Sequence, residues 1–297
     1  MPAATWKMAT TETMRTEAYA KVNLTLEVFG VRGDGYHALR SIVAPISLSD
    51  TIEIEPAEDV SSDVPFADDL CLKAARVLRG ESQVGAKIHV EKRIPAGGGL
   101  GGGSADAAAV LRSLNEMWGV GLSPEELADI GAQVGSDVPA LVLAQHYRAP
   151  VVMEGRGEKV SVLRGNASRL AVLHLVLVNP GVHTSTPRVF ALAGERAAAD
   201  SSATDECAKA LASGDLRRIA ASFANDLTLP ACRLHPEIAD VISSLRGAGA
   251  AGVAMSGSGS SVFGLAESGA RAREIAAEMS ARGFSAWAVC TLCPNMV

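Results

Sequence analysis

Six glycines crowd the seven positions from 97 to 103, in Pro95-Ala96-Gly97-Gly98-Gly99-Leu100-Gly101-Gly102-Gly103-Ser104. The chain then runs directly into the helical pattern Ala105-Asp106-Ala107-Ala108-Ala109-Val110-Leu111. Glycine reaches positive φ and lets a ligand approach the backbone, but it loses the most entropy on folding. A cluster this dense therefore constrains the fold around it. A glycine-rich turn that opens a helix presents unpartnered N–H groups and the positive end of the helix dipole, which suits an anion such as phosphate.

Two well-known phosphate loops fit poorly. Gly97 and Gly102 have the spacing of G-x-x-x-x-G-K-[ST], but Gly103-Ser104 follows, so the lysine is missing. Gly97, Gly99 and Gly102 satisfy G-x-G-x-x-G, a match that is nearly automatic in six glycines. That dinucleotide fingerprint also belongs after a first strand, whereas several strand patterns precede this loop.

Residues 17–29 alternate, with Ala20, Val22, Leu24, Leu26 and Val28 on one face and Lys21, Asn23, Thr25 and Glu27 on the other. By itself the polar face reads as a solvated strand surface. Residues 39–55 read as two strands, 68–79 as a helix, 85–93 as a strand, and the helix after the glycine loop extends to about Trp118. Ser123-Pro124-Glu125-Glu126 is a capping box with proline at the first helical position, opening a helix to about Val134. Asp137 has the spacing of an N-cap for a helix from Val138. Further on, 170–179 reads as a buried strand, Thr186 starts a helix, 216–227 and 236–246 read as helices, and strands flank Ser256-Gly257-Ser258-Gly259-Ser260-Ser261. Ser268 caps a helix to about Arg282, and a last strand covers 284–289.

The 297 residues are 48% hydrophobic and 20% charged, enough for a substantial core. A net charge of −6 without a basic run argues against nucleic acid as a partner. No apolar run reaches membrane-spanning length, and the first residues lack the apolar core of a secretory signal. The expectation is a cytoplasmic protein with a loose N-terminal tail over 1–16. The five cysteines are odd in number and irregularly spaced, as for reduced thiols. Cys290-Thr291-Leu292-Cys293 has no second ligand pair in reach for zinc.

The loop from Pro95 to Ser104 resembles the second motif of the GHMP small-molecule kinases. Ala20-Lys21-Val22-Asn23-Leu24 and Met255-Ser256-Gly257-Ser258-Gly259-Ser260-Ser261-Val262-Phe263 resemble the first and third, in order. Within the family, Gly33-Asp34-Gly35-Tyr36-His37 and Gly135-Ser136-Asp137-Val138-Pro139 resemble the branch acting on a methylerythritol that carries cytidine diphosphate, in the non-mevalonate isoprenoid pathway.

The resemblance implies an α+β fold of two domains with mixed sheets and helices and a ligand cleft between them. The N-terminal ATP-binding domain would cover 17–158. The C-terminal domain, contributing to the substrate site, would cover 159–297. It implies transfer of the ATP γ-phosphoryl group to an alcohol, with Asp137 as base and Lys21 as charge stabiliser. ATP would be held by Pro95, Ala96, Gly97, Gly98, Gly99, Leu100, Gly101, Gly102, Gly103, Ser104 and Ala105, with Lys92 and Leu70. Mg²⁺ would bridge the phosphates, on protein ligands the motifs do not name. The acceptor would meet Asn23, Tyr36, His37, Thr186, Pro187, Phe190, Ser256 and Gly257, its cytosine lying between Tyr36 and Phe190 and bonded by His37. The implied partner is a small molecule with a cytidine diphosphate group, with no nucleic acid and no membrane, on a monomer or weak homodimer. Asp69 stands where relatives have Asn beside the adenine, and Tyr19 where they have Pro. Two alternatives stay open at this point: a GHMP kinase of homoserine or mevalonate type, and a catalytically silent nucleotide-binding protein on the same fold.

Overall fold

In a computed structural model of the chain, residues 6–33, 35–64, 68–163, 171–193 and 203–294 are described. Asp34 and 194–202 lie outside them, as do residues 1–5 of the expected tail.

The N-terminal part runs Met14–Val31 (β1), His37–Ala57 (β2), Val60–Ser62 (β3), Leu70–Arg79 (α1), Gly85–Glu91 (β4), Gly102–Met117 (α2), Pro124–Val134 (α3), Val138–Tyr147 (α4), Val151–Gly155 (β5) and Lys159–Val162 (β6). There follow His174–Asn179 (β7), Thr186–Ala193 (α5), Ala203–Ser213 (α6), Leu216–Ser222 (α7), Ala224–Asn225 (β8), Thr228–Leu234 (α8), Glu237–Gly247 (α9), Ala251–Met255 (β9), Val262–Ala266 (β10), Gly269–Ala281 (α10) and Ser285–Cys290 (β11).

A seven-stranded sheet has the order β3-β4-β2-β1-β8, with β5 on β2 and β6 on β5. A four-stranded antiparallel sheet has the order β11-β7-β10-β9. The two strands expected over 39–55 are one, β2. The second was expected to start at Asp50, but the strand runs on through Asp50 and through Pro45, which lacks an N–H to give to a ladder. There the β1–β2 register shifts between Tyr19 and Lys21, and Pro45 faces Lys21. The strand thus continues, pairing with β5 at one end and β4 at the other.

Helix α2 is buried along most of its length, and its alanines 105, 107, 108 and 109 are fully covered. Small side chains let it lie close to β1, whose Ala18 and Ala20 are equally buried. The polar face of β1 is not solvated: Lys21, Asn23, Thr25 and Glu27 are at most 4% exposed. The C-terminal half of the chain covers it. Thr25 Oγ1 lies 3.0 Å from Thr204 Oγ1, and Glu27 accepts the N–H groups of Ala203 and Thr204 at the start of α6. From Trp6 onward the N-terminal segment is tied down too. Trp6 packs against the larger core and donates its indole N–H to Leu78 O, and Ala9 N–H donates to Met117 O. No helix among the described residues is long and apolar enough to cross a membrane.

Candidate active site

The glycine loop connects β4 to α2. Gly97, Gly99 and Gly101 all have positive φ. At Gly99 a Cβ would also stand 2.1 Å from Ser256 O, so no side chain fits there. Three successive carbonyls turn into the protein: Gly98 O accepts from Ser261 N–H, Gly99 O from Ser256 Oγ, and Leu100 O from Lys21 N–H. Helix α2 then opens on Gly101 with no side-chain cap and no acidic residue in its first turn. Its leading N–H groups have no helical acceptor, which favours an anion at this end.

Lys21 comes to the loop from β1; a Cβ on Gly101 would stand 3.2 Å from Lys21 Cε. Its Nζ donates to Asn23 Oδ1 at 2.6 Å, and Asn23 Nδ2 donates to Ser41 Oγ at 2.8 Å. Both ends of the Asn23 amide are therefore engaged in holding Lys21. Lys21 Nζ also lies 3.5 Å from Asp137 Oδ2. Asp137 occupies the N-cap position of α4 yet makes no side-chain capping bond. The capping role its spacing suggested is not the one its side chain takes: the carboxylate, about a third exposed, faces the lysine instead.

Lys92 bridges two buried carboxylates, 2.5 Å from Asp50 Oδ2 and 2.6 Å from Asp106 Oδ2. Burial pushes the Asp106 carboxyl up to about 7, further raised by Asp50 and opposed by Lys92. Burial also lowers the Lys92 ammonium, but the two carboxylates outweigh it and the net direction is upward. Asp106 Oδ1 is buried without a hydrogen-bond partner, as fits a carboxyl that readily carries a proton. Asp69 caps α1, accepting Leu72 N–H at 3.0 Å, a role in which Asp and Asn are equivalent.

These groups share one cavity of about 1120 Å³. Its lining includes Lys21, Asn23, Tyr36, His37, Leu70, Lys92, the glycine loop from Pro95 to Ser104, Asp137, Thr186, Pro187, Phe190 and Gly257. Two expected contacts are not in the wall. Ala105 is buried in α2. Ser256 is buried as a junction, its Oγ accepting Asn23 N–H at 3.2 Å and donating to Gly99 O at 2.9 Å. At the far end Phe190 packs on His37, with ring centroids 5.4 Å apart. Tyr36 stands 55% exposed at the mouth, under the guanidinium of Arg156. Thr186 Oγ1 is 2.8 Å from Ser258 Oγ, tying α5 to the loop between β9 and β10.

Sequence reading missed Asp50, Asp106, Arg156 and His183. His183 lines the cavity with its ring against Gly97, and a Cβ there would stand 2.1 Å from its Cδ2. Asp106 was in view beside the loop, but its partner Asp50 is distant in sequence, so only the fold reveals the pair.

Residues 69–145 match the GHMP kinases N terminal domain and residues 207–285 the GHMP kinases C terminal domain. The chain is 39% identical over 295 residues to 4-diphosphocytidyl-2-C-methyl-D-erythritol kinase of Symbiobacterium thermophilum, covering 94% of this chain and 100% of that one. It is 41% identical over 285 residues to the enzyme of the same name from Parvibaculum lavamentivorans, covering 91% and 94%. A crystal structure of 4-(cytidine 5'-diphospho)-2C-methyl-D-erythritol kinase superposes with a TM-score of 0.77 at 34% identity, over 94% of this chain and 99% of that one. Homoserine kinase from Cytophaga hutchinsonii superposes at 0.74 with 19% identity, over 98% of both chains, a likeness of fold alone.

Proposed function

The chain belongs to the GHMP kinase family, and we propose that its ATP-dependent transfer of a phosphoryl group to 4-diphosphocytidyl-2-C-methyl-D-erythritol is carried by Lys21 and Asp137. It is a small-molecule kinase of the isoprenoid precursor pathway. The observation supporting this division of roles is the 3.5 Å approach of Lys21 Nζ to an Asp137 carboxylate that its own helix leaves uncapped, in the wall of the loop-lined cavity.

Phosphoryl transfer asks a protein mainly for positioning and for stabilisation of charge. The loop and the α2 N-terminus receive the triphosphate of ATP, with the Ser104 hydroxyl beside them. Mg²⁺ enters with the nucleotide as Mg-ATP, a hard cation suited to phosphate oxygens. Asp137 accepts the proton of the acceptor hydroxyl as that oxygen attacks the γ-phosphorus. Lys21, aimed by Asn23 and Ser41, faces the Asp137 carboxylate and meets the charge developing on the transferred group. Tyr36, His37 and Phe190 receive the cytosine, with Thr186, Pro187 and Gly257 closing that side. Asn23 in the wall holds Lys21, and Ser256 behind it holds the loop.

Incubation with Mg-ATP and 4-diphosphocytidyl-2-C-methyl-D-erythritol should yield a product heavier by one phosphoryl group, seen by mass spectrometry. Homoserine and mevalonate, offered in parallel, should stay unchanged. Phosphorylation of either of those and not of the cytidylyl substrate would overturn the reading.

A further inference from the structure

The cations in the cavity wall are not equivalent. Lys21 faces Asp137, and Lys92 is held between Asp50 and Asp106. Arg156 also lines the cavity, and among the described residues no carboxylate pairs with its guanidinium. Its side-chain neighbour is the Tyr36 ring, with Cζ 5.5 Å from the centroid, a cation–π approach.

The turn that carries Arg156 is fixed at both ends of the acceptor site. Gly155 and Gly157 both have positive φ, Gly157 N–H donates to Glu154 O, and Arg156 N–H donates to Glu158 Oε2. Glu158 in turn accepts from Arg32 Nη1 at 3.1 Å, and Arg32 N–H donates to Tyr36 O at 2.7 Å. The turn is thus bonded to the turn that presents Tyr36. On its other side a Cβ on Gly157 would stand 2.5 Å from Ser136 O, so the turn also abuts the residue before Asp137.

On the reading of the acceptor given above, cytosine lies at Tyr36 and His37 and the reacting hydroxyl at Asp137. The diphosphate links those two parts of the molecule, so it must cross the wall between them. Arg156 stands there, between Tyr36 and Ser136. We infer that Arg156 is a specificity-determining residue that pairs with the diphosphate of the cytidine-bearing acceptor. Its planar fork suits phosphate oxygens, and its stacking on Tyr36 orders it before the ligand arrives.

The test is calorimetric titration of the full chain with cytidine and with cytidine 5'-diphosphate, alongside steady-state kinetics. The wild-type chain should bind the diphosphate more tightly than the nucleoside. Arg156→Gln should weaken the diphosphate by about 10–100-fold, leave cytidine within about twofold and leave the KM for ATP unchanged. Arg156→Lys should recover part of the loss, since it keeps the charge but not the fork. Equal losses for cytidine and its diphosphate would mean that Arg156 only packs the aromatic wall, and an unchanged diphosphate affinity would mean that it plays no part; either overturns the inference while leaving the acceptor reading standing. A wild-type chain that binds neither ligand overturns the acceptor reading and this inference with it.

Discussion

Asp137 has a helix N-terminus behind it and leaves that helix uncapped, while its carboxylate faces Lys21. If Asp137 is the base, as proposed, that role is lost when its carboxylate becomes an amide of the same shape. Asp137→Asn should therefore lower kcat by about 10²–10⁴-fold with little change in melting temperature, and steady-state rates beside circular dichroism melts check both. Asp106 makes a prediction in pH. Its carboxyl ordinarily titrates at 3.8 but is held up to about 7 in the fold, first by burial and then by Asp50 against Lys92. Between those values the folded state binds a proton that the unfolded state has released, so stability falls as pH rises from about 4 to about 7. Asp106→Asn has no such proton, and its melting temperature should gain on the wild type as pH rises through that window. Parallel curves for the two proteins would contradict it. Lys21 and Asp137 were legible in the sequence because each sits inside a short motif. Asp50, Asp106 and Arg156 were not, because what sets them apart is a neighbour brought close by the sheet and its turns.

At the scale of elements, the glycine loop separates glycines that the backbone demands from glycines that it merely tolerates. Gly99 combines φ +74 with a Cβ position 2.1 Å from Ser256 O, so Gly99→Ala meets both strain and a backbone clash. Gly103 lies inside α2, and the nearest atom to its Cβ position is Leu70 Cδ1 at 3.7 Å, ordinary contact. Gly99→Ala should cost at least about 1–3 kcal/mol by denaturant titration. Gly103→Ala should be neutral or gain about 0.4–1 kcal/mol, through the lower entropy of its unfolded chain. Elements with local punctuation were readable in advance: α3 has the complete Ser123–Glu126 box, and α10 has Ser268 as its cap. The helix expected over 216–227 is instead α7, the short strand β8 and a turn ending on Leu227, the N-cap of α8. Ala224 and Asn225 pair with Thr25 and Leu26 of β1, and Asn225 Nδ2 donates to Met255 O and Gly257 O. Those contacts are distant in sequence and override the local helical pattern.

Across the whole molecule, the cavity is assembled by stitching the polar face of β1 to loops from both halves of the chain. At Ser256 one hydroxyl joins Asn23 of β1 to Gly99 of the glycine loop. The amphipathic alternation of β1 was plain in the sequence, but its polar face was readable as solvent-facing until the covering segment could be seen. Ser256→Ala leaves the buried N–H of Asn23 and the part-buried carbonyl of Gly99 without this partner, which should cost about 1–3 kcal/mol. Because the same hydroxyl fixes the loop proposed to receive the triphosphate, its loss should also raise the KM for ATP. A non-hydrolysable ATP analogue, at a concentration giving a clear rise in melting temperature for the wild type, should give a smaller rise in the variant, since ligand stabilisation follows affinity for the folded state. Asp215→Ala provides the comparison. Asp215 caps α7 by accepting from Arg217 and Arg218 N–H and is not in the cavity lining, so its loss should lower stability by about 0.5–2 kcal/mol. The KM for ATP of that variant should be unchanged. If Ser256→Ala lowers stability but leaves the ATP response equal to that of Asp215→Ala, the junction supports the fold without shaping the phosphate site.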